Sequence, residues 1–272
     1  MKYLNYFFLF FILFQITSCQ KENKNLEMKT FSFEKKYPFK DTINAGKLDF
    51  IAEIELPIKY KNKEVADNIR KQIIGKIFGE FFNSIQIENL LSTYGKMLHN
   101  EYKRVNNSYF ESLDTITSDN LINNEISIQG VAMFLDEKIL SYSYERYSYF
   151  GGNEGSSFRI FLNFNLKTSE LIKEKDIFKH GYQESLTQLL KEQIVEDNAN
   201  IESVADLSEL NYFEDKIKPN DNFYLTAEGL VYVYNPYDIA SYSIGQIEVL
   251  IPFEKLKPIM KPNNIFEYIY KK

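Results

Sequence analysis

The sequence predicts an α+β protein built from two mixed subdomains, each with an antiparallel-rich sheet packed against helices. In several segments apolar residues occupy every second position, which is typical of strands with one buried face. In other segments they recur every three or four positions, which is the spacing of amphipathic helices. The strands follow one another as hairpins in places and do not alternate regularly with helices, so we do not expect a parallel βαβ sheet.

The first predicted elements are one strand and two helices. Residues Lys47–Tyr60 carry apolar side chains at every second position, which predicts a strand with one buried face. Residues Lys63–Phe82 place apolar side chains at helical spacing and are predicted as one helix, although the segment contains Gly75 and Gly79. Residues Ile87–Val105 are predicted as the second helix on the same grounds.

A polar stretch and three strands complete the N-terminal subdomain. Residues Asn106–Asn120 are mostly polar and are predicted as a loop. The first segment that follows alternates as a strand, and the next two are rich in Tyr, Phe and Ile, which favour the β conformation. These strands are predicted at Ile126–Phe134, Ile139–Phe150 and Ser156–Leu166.

The C-terminal subdomain is predicted to contain one long helix and three short strands. Residues Tyr182–Val195 have the apolar spacing of a helix, and Asp197–Asp221 is an irregular acidic stretch. The strands are predicted at Phe223–Thr226, Leu230–Tyr234 and Ile247–Ile251. We place the boundary between residues 165 and 166, so that the two subdomains span residues 29–165 and 166–272.

The first residues resemble a bacterial export signal. The apolar run Phe7–Phe14 is too short to span a bilayer, so residues 1–18 are interpreted as a signal peptide. The sequence Ile16-Thr-Ser-Cys resembles a lipobox, and Cys19 is the single cysteine of the chain. We therefore expect Cys19 to be the site of lipid attachment and residues 19–28 to be a lipidated, polar tether. The alternative is a plain signal peptide with an incidental cysteine.

Lipid attachment at Cys19 would predict the location of the protein, and it would make a membrane its first partner. The protein is expected in the cell envelope, anchored to a membrane through Cys19, with the outer membrane favoured and surface exposure as a further option. The net charge of −6 and the lack of a basic cluster give no electrostatic footprint for nucleic acid, so no nucleic-acid partner is expected. The two histidines, His99 and His180, lie far apart without the spacing of metal ligands. We predict neither a metal nor a cofactor.

The glycine-rich stretch Gly151–Gly155 is the first candidate site. A phosphate cradle needs such a stretch to lead into a helix, whereas this one leads into the strand-like run Phe158–Phe161. No Gly-x-Ser-x-Gly elbow is present and no histidine is a credible partner for a serine, so a hydrolase triad is not expected. The catalytic alternative is an acid–base pair of carboxylates, formed by Glu154 with Asp238 or Glu248.

Tyrosines supply the second candidate site. They crowd one strand from Tyr142 to Tyr149 and another segment from Tyr232 to Tyr242. Since alternate residues of a strand project to opposite faces, some of these rings are expected at the surface, where tyrosine suits recognition. The alternative is that the rings line a wide core. The candidate binding residues are Gly151, Gly152, Glu154, Gly155, Tyr234, Asn235, Pro236, Tyr237 and Tyr242.

Several of these stretches together resemble a known family. They are Tyr147-Ser-Tyr-Phe-Gly-Gly-Asn-Glu-Gly, Asn163-Phe-Asn-Leu-Lys-Thr-Ser, Lys175-Asp-Ile-Phe and the long run from Glu228 to Phe253, which includes Asn235-Pro-Tyr-Asp-Ile-Ala-Ser-Tyr. They are similar to the paired extracytoplasmic domains of unknown function in the anti-sigma-V factor (RsiV), which is a lysozyme receptor. The same pair accompanies the catalytic domain of PdaC-type peptidoglycan deacetylases and occurs in Bacteroidota lipoproteins. The resemblance covers roughly residues 37–260.

The resemblance implies two α+β subdomains in the cell envelope and no reaction. In the family the glycine loop usually reads Tyr-x-Gly-Gly-Ala-His-Gly, whereas here Asn153 and Glu154 replace the Ala and His. We therefore expect a lipid-anchored, non-catalytic binding module for lysozyme, another muramidase or an envelope glycan such as peptidoglycan. The alternatives are a carboxylate-dependent enzyme acting on cell-wall glycan and a structural lipoprotein of an envelope assembly.

Overall fold

The fold was analysed in a computed structural model that describes residues 26–40, 43–112, 122–198 and 202–271. The predicted signal peptide and Cys19 lie outside the described residues. Within the described ranges, no helix is both long and apolar enough to cross a membrane.

The structure is α+β, as predicted, with a five-stranded mixed sheet and a separate three-stranded antiparallel sheet, each packed with helices. The strands of the first sheet are β1 (Leu26–Lys40), β2 (Ile43–Tyr60), β3 (Asn124–Leu135), β4 (Ile139–Tyr149) and β5 (Ser156–Asn165). The strands of the second sheet are β6 (Phe223–Leu225), β7 (Gly229–Tyr234) and β8 (Ile247–Pro252). The helices are α1 (Lys63–Phe78), α2 (Leu90–Glu111), α3 (Glu174–Ile177), α4 (Tyr182–Glu196), α5 (Phe253–Leu256) and α6 (Glu267–Tyr270). The predicted division into subdomains at residues 165 and 166 stays a prediction.

The five-stranded sheet has the order β1-β2-β3-β4-β5. All neighbouring strands are antiparallel except β2 and β3, which are parallel. A parallel pair needs a long crossover, and here the crossover contains α1 and α2. Alternate residues of β2, such as Phe50 and Ile54, are buried against Ile69 of α1 and Tyr94 of α2 in one core.

The first helix is shorter than its periodicity predicted. Asn62 begins α1 by accepting a hydrogen bond at Oδ1 from the amide of Glu64, at 3.1 Å. The helix ends at Phe78, because Gly79 adopts φ +100° and its amide bonds back to Gly75. The prediction of one helix to Phe82 is therefore wrong, and residues Glu80–Ser84 form a separate 3₁₀ turn.

Two further boundaries differ from the prediction. The polar stretch that begins at Asn106 was predicted as a loop, but α2 continues through it to Glu111. Asn106 is buried there and donates from Nδ2 to the carbonyl of Tyr102, at 2.8 Å. Strand β1 begins at Leu26, so the last three residues of the predicted tether, 26–28, belong to the sheet.

The second sheet packs against the first through one face of β7. Its other face, with Tyr232, is buried with α4 and α5 in a second core. Val231 and Val233 instead pack against Phe161 of β5. Tyr224 stacks on the same Phe161 ring, with 4.8 Å between the ring centroids. Strand β7 is therefore buried on both faces, which explains its unbroken run of apolar and aromatic residues.

Three asparagines, which we call the asparagine clamp (Asn163, Asn222 and Asn235), join the two sheets at the outer edge of β5. Asn222 Oδ1 accepts the amide of Phe161 at 2.8 Å, and its Nδ2 donates to the carbonyls of Arg159 and Val233 at 3.1 and 3.0 Å. Asn235 accepts the Arg159 amide at 2.6 Å, and Asn163 donates to the carbonyl of Phe223 at 2.7 Å. Side-chain amides thus satisfy an edge that a further strand would otherwise pair.

A buried carboxylate holds the chain next to this clamp. Glu174 is 4% exposed and accepts from the Tyr182 hydroxyl at 2.8 Å and from the amide of Asp221 at 2.9 Å. Asp221 accepts the Glu174 amide in return, at 2.9 Å. Burial raises the pKa of Glu174, and the nearby charge of Asp221 adds to this, although the hydrogen bonds it accepts lower the pKa in part.

Replacing Glu174 by glutamine is expected to remove part of the pH dependence of stability. A carboxyl whose pKa is raised on folding binds more protons in the native state than in the unfolded state, so stability falls as the pH rises above the ordinary value of 4.5. Glutamine cannot ionise, and its Oε1 can still accept the Asp221 amide, while its Nε2 can donate to the oxygen of the Tyr182 hydroxyl. Urea unfolding at a series of pH values from about 4.5 upward should show a smaller decline in the free energy of unfolding for Glu174→Gln than for the wild type. The exposed Glu170→Gln variant should keep the wild-type decline, and an unchanged decline in Glu174→Gln would contradict the expectation.

Candidate functional site

The two predicted contact regions lie side by side. The glycine stretch forms the tip of the β4–β5 hairpin, between Tyr149 and Ser156. From the C-terminal segment, the Tyr242 hydroxyl donates to the carbonyl of Gly155, at 2.7 Å. Within the hairpin, the Tyr149 hydroxyl donates to the carbonyl of Gly152, at 2.9 Å. The tip is therefore held by tyrosines from two distant parts of the chain.

The conformation of the tip explains its glycines. Gly151 and Gly152 have φ values of +92° and +93°, a region that residues with a side chain rarely adopt. A Cβ atom on Gly155 would lie 2.4 Å from the ring of Tyr147. The interpretation of the glycines as a turn is thus confirmed. Glu154, which stands where the similar sequences usually have a histidine, is exposed at this tip.

The stretch Asn235-Pro236-Tyr237-Asp238 forms a tight turn that presents one aromatic ring to solvent. The carbonyl of Asn235 accepts the amide of Asp238 at 3.0 Å, and the Asp238 carboxylate accepts the amide of Asn235 at 2.7 Å. Pro236 suits the second position of such a turn, where φ is near −65°. Tyr237 has φ +75°, a strained value for a residue with a side chain, and it is 61% exposed.

A cation accompanies this exposed ring. The rings of Tyr237 and Phe213 meet edge to face with centroids 5.6 Å apart. Lys216 Nζ lies 4.5 Å from the Phe213 centroid and 5.6 Å from that of Tyr237. We use the name hairpin surface for the exposed set formed by the tip and this segment. It consists of Phe150, Gly151, Gly152, Asn153, Glu154, Tyr237, Asp238 and Tyr242.

Two of the predicted contact residues, Tyr234 and Asn235, instead form hydrogen bonds within the protein. Tyr234 is 2% exposed and donates from its hydroxyl to the carbonyl of Lys218, at 2.8 Å, so its prediction as a contact residue is wrong. Burial raises the pKa of Tyr234, with further contributions from the charges of Glu174 and Asp238. The side-chain amide of Asn235 belongs to the asparagine clamp and is fully engaged with Arg159.

The other tyrosines divide between core and surface. Tyr142, Tyr144 and Tyr232 are buried, in agreement with the alternative that the rings line a wide core. Tyr147 and Tyr149 are partly buried, and Tyr242 is 43% exposed. Tyr142 and Tyr144 project into the core of the first sheet, and the positions that alternate with them, Ser141 and Ser143, are buried as well.

The candidate acid–base carboxylates are mostly engaged. The Asp238 carboxylate closes its own turn. Glu248 accepts from the hydroxyl of Tyr224 at 3.0 Å and from Gln246 at 2.8 Å, and it lies 3.6 Å from Arg159. Both carboxylates are therefore already used in contacts within the chain. The geometry therefore does not favour the predicted pair of Glu154 with either residue.

Arg159 and Glu145 form a neighbouring ion pair that the sequence did not single out. Arg159 Nη2 lies 2.6 Å from Glu145 Oε2, and Ser157 donates to the same carboxylate at 2.8 Å. Burial would raise the pKa of Glu145, but the hydrogen bonds from Arg159 and Ser157 outweigh it and lower the pKa. The one signal in the sequence is a charged residue inside the apolar run Phe158–Phe161. In the described part of the chain, no group of three or more His, Cys, Asp or Glu residues is placed to hold a metal ion.

The chain is similar in sequence and in fold to proteins of a family whose function is unknown. Residues 175–254 match the family model described as a protein of unknown function, DUF3298. This matched region contains the Tyr237 and Tyr242 segment but not the glycine tip. No curated protein matches the chain.

Two crystal structures of DUF3298 family proteins are similar to the chain. The one from Bacteroides fragilis has a TM-score of 0.84 and 25% identity, and the match covers 92% of this chain and 100% of that one. The one from Pseudomonas aeruginosa has a TM-score of 0.59 and 16% identity, and the match covers 88% and 95% of the two chains. The chain is thus similar to DUF3298 proteins over its fold, and its residues 175–254 match the model of that family of unknown function.

Proposed function

We propose that the protein is a lipid-anchored, non-catalytic binding module of the cell envelope, which recognises a basic protein such as lysozyme or another muramidase through the hairpin surface. The observation that carries the proposal is the hydrogen bond from Tyr242 to Gly155. It joins the glycine tip to the tyrosine segment, and Phe150, Tyr237 and Tyr242 of these two regions are all exposed. The anchor in this proposal is Cys19, as the lipobox predicts.

The chemistry of the hairpin surface supports recognition. Exposed tyrosine offers a large ring and a hydroxyl at a small entropic cost, and it is enriched among the residues that dominate binding energies. Hydrogen bonds from Tyr149 and Tyr242 hold the tip in one conformation before any partner arrives. A preformed loop loses less conformational entropy on binding than a flexible one.

Charge supports a basic protein as the partner. The chain carries a net charge of −6, and the exposed carboxylates of Glu154 and Asp238 lie within the hairpin surface. These two carboxylates outnumber the one cation beside Tyr237, Lys216, so the surface attracts a basic protein and accelerates its association. The resemblance to the ectodomain of the anti-sigma-V factor points to lysozyme as the first protein to test.

We expect the soluble form, residues 20–272, to bind lysozyme saturably and more weakly at higher salt. Replacing Tyr237 by alanine should weaken binding about tenfold or more, since truncating a central aromatic anchor typically costs about 2 kcal/mol. Surface plasmon resonance at two salt concentrations measures both effects. Phe81→Ala, which removes an exposed aromatic ring elsewhere, should bind like the wild type.

Peptidoglycan belongs in the same experiment as a second ligand. Binding to peptidoglycan but not to lysozyme would replace the protein partner by a glycan, with the same surface to be tested. Binding of neither ligand by the wild type, or wild-type affinity in Tyr237→Ala, would overturn the proposal. Turnover of peptidoglycan that is lost in Glu154→Gln would favour the carboxylate-dependent enzyme instead.

A further inference from the structure

A cavity of about 380 Å³ lies between α2 and the strands β3 and β4. Its walls are mainly apolar, with Leu98 and Val105 from the helix and Ile126 from the sheet, and Phe150 lies at its edge. Val105 and Phe150 are 57% and 62% exposed, so they lie toward its mouth. The volume falls within the range of cavities that bind small molecules, which are typically about 300–1,000 Å³.

One cation lines this apolar cavity without a counter-charge. Arg146 donates from Nη1 to the Tyr94 hydroxyl at 2.9 Å and from Nε to the Ser148 hydroxyl at 3.3 Å, and both partners are neutral. Among the described residues, Arg146 takes part in no ion pair. The chain's other arginines each pair with a carboxylate: Arg70 with Asp67, Arg104 with Glu101, and Arg159 with Glu145.

The acidic residue among those that line the cavity is already paired with another arginine. Glu101 also lines the cavity, but Arg104 binds both of its carboxylate oxygens, at 2.6 and 2.9 Å. A partly buried guanidinium beside apolar walls is costly unless it is paired. The described residues therefore leave a place for an anion beside Arg146.

A second polar group in the cavity lacks a partner. Asn124 Oδ1 is buried and has no hydrogen-bond partner in the described part of the chain. Residues Asn124 and Arg146 lie on the same face of neighbouring antiparallel strands, since Ile126 pairs with Ser148 and Ile128 with Arg146. Rotation of the Asn124 amide about its last bond would present Nδ2 as a donor. Both polar groups line the same cavity, four residues apart along the strand direction.

We propose that this cavity binds a small amphipathic carboxylate. Its apolar body would pack against Leu98, Val105 and Ile126, and its carboxylate would bind Arg146. The ligand class follows from the combination of apolar walls and one uncompensated cation. This site is distinct from the contact between the hairpin tip and Tyr242, although Phe150 borders both.

Decanoate and decan-1-ol are suitable probes, because they share a hydrocarbon chain and differ in charge. By isothermal titration calorimetry we expect the protein to bind decanoate saturably and about tenfold or more tightly than the alcohol, since a charged hydrogen-bonded pair contributes more than a neutral one. Arg146→Gln should remove this preference. The absence of saturable decanoate binding, or equal affinity for the two probes in the wild type, would overturn the proposal.

A second variant keeps the test independent of the stability of Arg146→Gln. Val105→Glu changes an exposed residue, so the fold should tolerate it, and it places a second negative charge at the cavity mouth. Decanoate binding should weaken severalfold, while the matched change Val131→Glu, at an exposed position on β3 outside the cavity lining, should leave it unchanged. Equal decanoate affinities in the two variants would argue against this cavity. Val105→Glu should also bind lysozyme with wild-type affinity, which would show that the cavity and the hairpin surface are independent sites.

Discussion

Replacing Asn222 by alanine is expected to lower the free energy of unfolding by about 2 to 3 kcal/mol. The side chain is buried and accepts the Phe161 amide while donating to the carbonyls of Arg159 and Val233. Alanine would leave the Phe161 amide without a partner at the junction of the two sheets, whereas the carbonyls of Arg159 and Val233 would keep the donors Asn235 and Asn220. An orphaned buried donor costs about 1–3 kcal/mol, and the loss of the other two hydrogen bonds adds to this.

Two further variants make this prediction specific. Asn222→Asp keeps the acceptor for Phe161 but cannot donate and places a charge against two carbonyls, so it should destabilise at least as much as alanine. Asn153→Ala, at the exposed hairpin tip, should change the free energy of unfolding by less than about 0.5 kcal/mol. Urea unfolding measures all three. A loss below about 1 kcal/mol for Asn222→Ala would show that the asparagine clamp contributes little.

The second large effect is expected for Gly229→Ala. A Cβ atom at this position would lie 2.1 Å from the carbonyl oxygen of Ile251 and 2.9 Å from the Cα atom of Pro252. Both are backbone atoms of β8, which pairs with β7 through Gly229 and Pro252. Because backbone cannot move aside as a flexible side chain can, the sheet must distort. We expect a loss of about 3 kcal/mol or more in the free energy of unfolding, measured by thermal or urea unfolding.

Gly245→Ala is the matched control for this change. Gly245 has φ +81°, but a Cβ atom there would meet no atom within 4 Å. With ψ −153° as well, its replacement should cost about 1–3 kcal/mol, from the backbone conformation alone. A loss in Gly229→Ala below about 1 kcal/mol would show that close packing at Gly229 does not matter.

The period of apolar residues predicted those helices and strands whose buried positions recur at regular spacing. The β4–β5 hairpin and helix α4 were predicted close to their observed bounds, because their buried positions follow a simple period. Strand β1 was not assigned. The alternation of apolar residues in β1 is broken at Lys35. This residue pairs with Phe50 of β2 and therefore lies on the same face of the sheet as that buried ring. The end of α1 depended on the positive φ of Gly79, which apolar spacing does not report.

The candidate site could be predicted in parts and not as an assembly. The glycine tip and the tyrosine segment were both identified, but their contact joins residues 87 positions apart, which no local pattern contains. Tyr234 was misassigned for the same reason. Whether a tyrosine on β7 is exposed depends on what covers each face of the strand, and here both faces are covered. Asparagine is common in turns, so nothing marked Asn222 and Asn235 as partners of a distant strand.

The asparagine clamp also changes what amide hydrogen exchange would report in this protein. Arg159 and Phe161 lie on an edge strand, where an outward amide normally exchanges as soon as water reaches it. Here their amides are held by Asn235 and Asn222. They become free to exchange when the second sheet moves away, even while β5 stays paired with β4. The exchange rates of these two amides therefore measure how often the sheets separate, independently of the unfolding of either.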